Sequence, residues 1–174
     1  MRIRYASGCG GIAAVASDAG AVFIDTAVLM YAGGAPHPLQ DPCRDLLELL
    51  EQGVLRGVTS AEIVQEILHR FQFSGDPGVG ERMARVALDL FAPVLPLTHA
   101  VMTRGVGLVA TYPSLTARDA VHVATCIEEG VTMIVSPDRG FDDVAEIRQI
   151  DPADRAAVLS LTRGGSPGGS SDRS

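Results

Sequence analysis

Lysine does not occur in this chain: all fourteen basic residues among its 174 are arginine. Mechanisms that depend on a lysine ammonium are thereby excluded, the phosphate-cradling P-loop among them. Positive charge is also short overall, because twenty-one Asp and Glu leave a formal net charge of -7. Proteins that coat nucleic acid by broad attraction present basic surfaces that displace counterions from phosphates. Any nucleic acid must here be gripped locally, for instance through a metal.

Cysteine and aromatic residues are scarce as well. Cys9, Cys43 and Cys126 are odd in number, widely spaced and without a C-x-x-C pair, so neither a disulfide framework nor a zinc site is indicated and a reducing cytoplasm suits them. No apolar run approaches membrane-spanning length, so no membrane partner is expected. Arg2, Arg4 and Ala14-Val15-Ala16 imitate a secretory signal, but Gly8, Gly10 and Gly11 interrupt the apolar segment such a signal needs. Aromatics make up 5% of residues against 47% hydrophobic, which predicts a finely packed core poor in rings.

What is present reads as one α/β domain, since the length suits a single hydrophobic core and is too short for two ordinary ones. Residues 1–20, rich in Gly, Ala and Ser, are expected to be a loose leader or the product of a start codon set too far upstream. Residues 161–174, mostly the run RGGSPGGSSDRS, have the composition of a disordered tail, which leaves 21–160 as the folded domain. Within it, residues 21–25 form an apolar run ending in a carboxylate. Asp41-Pro42 opens a helix that stops near Gly53, and residues 54–58 read as a strand. Thr59 with Glu62 three residues on has the pattern of a capping box, ahead of the stripe Ile63, Val64, Ile67, Leu68, Phe71. A turn at 74–78 leads to a helix ending near Leu90, residues 94–97 look strand-like, and Thr98 can cap another helix. Thr116 starts a helix reaching Glu129 with Gly130 behind it, and residues 131–135 are an apolar strand. Such alternation implies a Rossmann-like parallel sheet flanked by helices.

In open parallel sheets ligands bind beyond the carboxyl ends of the strands, and two acids stand at such ends: Asp25 after the first strand and Asp138 after the last long one. Converging carboxylates repel one another unless a hard divalent cation sits among them.

The segment Phe23-Ile24-Asp25-Thr26-Ala27-Val28-Leu29-Met30-Tyr31 resembles the opening strand and first aspartate of the PIN family. Val64-Gln65-Glu66-Ile67-Leu68 is similar to the helical segment bearing that family's glutamate. Ala117-Arg118-Asp119-Ala120-Val121-His122-Val123-Ala124 and Ser136-Pro137-Asp138-Arg139-Gly140-Phe141-Asp142 resemble its third and fourth acidic motifs. The likeness spans about residues 21–152, with four motifs in order. It implies a PIN fold, usually dimeric, and a magnesium-dependent endoribonuclease in which manganese can substitute. In VapC-type members it implies a toxin acting on RNA and neutralised by a VapB-type antitoxin. By position, the catalytic and metal-binding acids are Asp25, Glu66, Asp119 and Asp138, with Asp142 as an accessory ligand, while Thr26 and Ser136 lend hydroxyls. One position departs from the pattern: the family commonly has Asn or Ser two residues after the first aspartate, and Ala27 offers no polar group to support the ligands.

Each acid also has a plain structural alternative. Asp25 could cap the following helix, Asp119 lies where a capping box with Thr116 would place it, and Asp138 with Asp142 could be an ordinary loop and a helix start. Glu62 competes with Glu66 but is accounted for by the cap at Thr59. His37, His69, His99 and His122 share no ligand spacing and read as surface or packed histidines, although His122, one turn from Asp119, could bond that carboxylate. Arg118 and Arg139 adjoin acids and could contact phosphates or pair locally. A haloacid-dehalogenase-like phosphatase or a response-regulator receiver would also place aspartate after a first strand, but each normally needs lysine, and Ala27 stands where the phosphatase type wants a second aspartate. The remaining rival is a catalytically weak PIN scaffold serving as a protein or RNA interaction module, for which Ala27 is the best argument.

Overall fold

The computed structural model describes residues 20–163. The leader expected over residues 1–20 lies outside them except for Gly20, as does the tail from residue 164 onward.

Seven helices and four strands follow in the described residues: β1 Val22–Ile24, α1 Thr26–Gly33, α2 Gln40–Glu51, β2 Gly57–Val58, α3 Ala61–Ser74, α4 Pro77–Leu90, α5 His99–Thr111, α6 Ala117–Glu128, β3 Met133–Val135, β4 Arg148–Ile150 and α7 Arg155–Arg163. All strands are parallel in the order β2-β1-β3-β4. The interior strand β1 is covered on both faces, and Val22, Phe23 and Ile24 are fully buried. That explains why it reads as a continuous apolar run rather than an alternating one. α1 packs on α2, α3 on α4 and α5 on α6. The chain reverses after α3 and α6 through Gly75 and Gly130, both at positive φ, where a side chain would be strained.

Several elements differ from expectation. The strand expected over 54–58 shrinks to two residues, because Val54 and Leu55 both donate back to the Leu49 carbonyl to close α2. Residues 94–97 form only a bridge, with Leu95 paired to Ser60, and Pro96 can donate nothing to extend it. β4 and α7 went unread: only Ile150 of the three-residue edge strand is fully buried, so no apolar run announced it. α7 also continues to Arg163, three residues into the segment assigned to the tail. α2 starts at Gln40 after Leu39, so Asp41 sits in the first turn rather than at the cap. Thr98 caps α5 as expected, accepting from the Val101 N–H at 3.2 Å.

Cys43 and Cys126 are free and buried, and burial pushes the Cys43 thiol up to about 11. No helix among the described residues is long and apolar enough to cross a membrane.

Candidate functional site

β1 ends in Asp25, whose backbone N–H donates to the Val135 carbonyl at 3.1 Å and so locks the ends of β1 and β3 together. The Asp25 side chain makes no cap bond to α1. It accepts instead from the Ser136 hydroxyl at 2.6 Å. Ser136 follows β3, is fully buried, and in turn accepts from the Asp138 N–H at 3.1 Å. Gln149 on β4 donates to the carbonyls of Ser136 and Asp138 at 3.1 and 2.6 Å, so the unread edge strand holds this loop in place. One hydroxyl thus ties together the two acids that the strand ends position.

Glu66 comes from the middle of α3. Its Oε2 accepts from the Thr26 hydroxyl at 2.7 Å and its Oε1 from Arg118 at 2.6 Å. The capping box expected from Thr59 and Glu62 is not formed. Thr59 donates to the Ile24 carbonyl at 3.0 Å, and Ser60 precedes the helix without a side-chain cap bond. Glu62 is therefore not consumed by a cap and lies 3.9 Å from Arg118.

Asp119 does form the capping box with Thr116 at the start of α6: its Oδ2 accepts from the Thr116 hydroxyl at 2.7 Å and backbone N–H at 3.2 Å. The structural role and a place in the site are not exclusive. Gly140 packs so closely that an added Cβ would lie 3.4 Å from that same oxygen, which brings the loop carrying Asp138 over Asp119.

Asp25, Glu66, Asp119 and Asp138 all line one cleft of about 620 Å³, with Thr26, Ala27, Arg70, Thr116, Arg118 and His122 among the other walls. Asp142 is exposed and is not among the described residues that line it, and neither is Arg139. Arg70, which sequence reasoning passed over, does line the cleft; one helical turn after Glu66, it was legible as a neighbour of that acid.

His122 is a packed histidine, as its lack of ligand spacing suggests, but it does not bond Asp119. It is 1% exposed and packs on Phe23 with ring centroids 5.5 Å apart. Its Nε2 faces Asp25 Oδ1 and Glu66 Oε2, each at 3.9 Å, rather than Asp119. Its Nδ1 has no partner among the described residues. The residue forms the cleft floor.

Burial raises the Asp25 carboxyl above its ordinary value against the opposing influence of His122 and the Ser136 hydroxyl, and the nearby Asp138 and Glu66 add to the rise. Burial acts the same way on Glu66, but His122, Thr26 and Arg118 outweigh it and hold that carboxyl below the usual range.

The donor set suits a hard divalent cation in kind, being carboxylates and hydroxyls with a charge that only a cation would relieve. The acids are not drawn together for one: no group of three or more His, Cys, Asp or Glu among the described residues is arranged to hold a metal ion. The hydrogen bonds explain this. Glu66 is turned to Thr26 and Arg118, and Asp119 to Thr116.

The PIN domain profile matches residues 22–147. Ribonuclease VapC7 of Mycobacterium tuberculosis is 36% identical over 141 residues, covering 80% of this chain and 97% of the relative. Ribonuclease VapC13 of the same organism is 31% identical over 129 residues, 74% of this chain and 98% of the relative. Among solved structures, VapBC2 from Rickettsia felis bound to a DNA fragment from its promoter superposes with a TM-score of 0.60 at 13% identity, covering 75% of this chain and 97% of the other.

Proposed function

The chain belongs to the PIN domain family, and on that footing we propose that it is a magnesium-dependent endoribonuclease, the VapC-type toxin of a toxin–antitoxin pair. The observation that carries this reading is the meeting of Asp25, Glu66, Asp119 and Asp138 in one cleft at the carboxyl ends of β1 and β3. RNA as the substrate rests on the ribonuclease names of the relatives.

In this reading the four acids hold the metal, magnesium or in its place manganese. Bound there, the ion would supply Lewis acidity and activation of water near neutral pH. The chain's own residues do the rest. Ser136 fixes the orientation of Asp25, which spares that carboxylate reorganisation when the substrate arrives, and Thr26 holds Oε2 of Glu66. His122 closes the floor against Phe23 and keeps bulk water from beneath the acids. Arg70 and Arg118, on the walls, are placed to meet phosphate oxygens, to which the guanidinium fork is suited.

The pure protein with magnesium is expected to cut RNA, and sequencing the new ends identifies the substrate in the same experiment. Cleavage that persists in chelator counts against the mechanism. A second reading, a catalytically weak scaffold that binds RNA or protein, is favoured by Ala27, which lines the cleft and offers no donor. RNA binding without new ends would select it.

The partner is a small VapB-type antitoxin, and an acidic cleft suits an inhibitor that inserts an arginine. The exposed stripe Met102, Val106 and Val109 on α5 supports a homodimer. A cytoplasmic setting goes with free buried thiols and an RNA substrate. Light scattering is expected to give twice the chain mass for the protein alone and a larger complex on coexpression with the product of a neighbouring small gene. A monomer in the first case, or no complex in the second, removes the corresponding claim.

A further inference from the structure

Both oxygens of Glu66 are engaged, one by an internal hydroxyl and the other by a cation. That cation is Arg118, whose Nη1 lies 2.6 Å from Oε1 while its Nε lies 3.9 Å from Glu62, one turn earlier on α3. A single guanidinium therefore spans two carboxylates of one helix. It is also the member of the pair free to leave: its side chain is 42% exposed against 13% for Glu66. Arg118 and Asp119 are neighbours at the start of α6, so the backbone that would present Asp119 to a metal also presents the arginine.

Taking the cleft to be the metal site proposed above, we infer that Arg118 is the resident cation of the metal-free state. A divalent ion must displace it from Glu66, and the freed guanidinium then faces the cleft as a contact for an RNA phosphate. Held at bonding distance to the same oxygen, Oε1, a guanidinium and a divalent ion repel each other, so the two compete for Glu66. The competition lowers apparent metal affinity by the fraction of time the arginine is seated. Arginine suits the second position as well, because its planar donors match phosphate oxygens and its charge persists at any working pH.

Manganese binding to the full chain, read from the electron paramagnetic resonance of the free ion, tests the displacement. Arg118→Ala is expected to bind manganese about ten- to a hundredfold tighter than the wild type, the worth of one charge-assisted hydrogen bond removed from a competitor. Arg118→Lys, which keeps the charge but not the fork, is expected between the two. Arg70→Ala removes the same charge from the same cleft without touching the contacts of Glu66, and is expected to change affinity less than twofold. Melting temperatures without metal establish that each variant is folded. With saturating magnesium, Arg118→Ala is expected to raise the KM for RNA severalfold while kcat changes little. Unchanged or weaker manganese binding in Arg118→Ala overturns the displacement, and so does equal tightening in Arg70→Ala, which would be an effect of charge alone. An unchanged KM overturns the phosphate contact. If none of the four proteins binds manganese, the metal site itself is lost, a result distinct from both.

Discussion

Replacing Asp25 by asparagine is expected to remove magnesium-dependent RNA cleavage by about a thousandfold or more and, at the same time, to make the metal-free protein more stable. The first effect follows from deleting a negative ligand from the cleft lining, where a bound metal would contribute several kcal/mol to charge stabilisation. The second follows from burial. Asp25 is 6% exposed, and its carboxyl is raised above the ordinary 3.8 chiefly by desolvation. The folded protein therefore holds that proton more tightly than the unfolded chain does. Stability from this group is present below about pH 4 and is lost as pH rises through the elevated folded value. Once ionised, the buried side chain is a cost, which asparagine removes while its amide oxygen still accepts from Ser136. The metal-free melting temperature is expected to rise at neutral and higher pH, with the gain shrinking toward pH 4. Calorimetry across pH beside a cleavage assay reads both effects. A less stable variant that still cuts RNA would mean that Asp25 is a structural residue.

Ser136→Ala is expected to have the next largest effect, a fall of about 10- to 100-fold in cleavage or in metal affinity. The hydroxyl is fully buried and is the hinge between the two strand-end acids, donating to Asp25 and accepting from the Asp138 N–H. Alanine leaves that N–H without its side-chain acceptor and Asp25 without its positioning donor. Loss of the pair is expected to cost about 1–3 kcal/mol of stability in addition. A magnesium titration of the cleavage rate separates the contributions: a curve displaced to higher magnesium with its plateau retained assigns Ser136 to metal affinity, and a lowered plateau assigns it to orientation. Wild-type rates at every magnesium concentration would show that the acids do not depend on this hydroxyl.

Comparison of sequence and structure at individual residues shows where local patterns suffice. The Asp25 carboxylate after an apolar run, the Thr116 capping box and the Thr98 cap each depend on residues close in the chain, and each was legible there. The Thr59–Glu62 capping box had the same kind of local signature and was wrong. Thr59 finds the Ile24 carbonyl, thirty-five residues away, and a buried hydroxyl with a partner in the next strand has no need of the helix end. Glu62 was set aside for that mistaken reason, and the structure returns it to the neighbourhood of Arg118. For His122 the packed role was legible, but its neighbours were not: sequence proximity offered Asp119 as a partner, whereas the helix packs so that its imidazole faces Asp25 and Glu66.

The sequence by itself determined the parallel α/β architecture, the helix boundaries with local caps, and the identity of four acids in the family's order. Apolar periodicity, turn residues and motif order are properties of adjacent positions, so they survive without a third dimension. Tertiary structure alone decided that those acids share one cleft, that Asp142 and Arg139 stand outside its lining, and that Arg118 occupies Glu66. Each of these depends on the packing of α3 and α6 against the ends of β1 and β3. A hydrogen bond spanning 52 residues, such as that between Arg118 and Glu66, leaves no local trace in the chain.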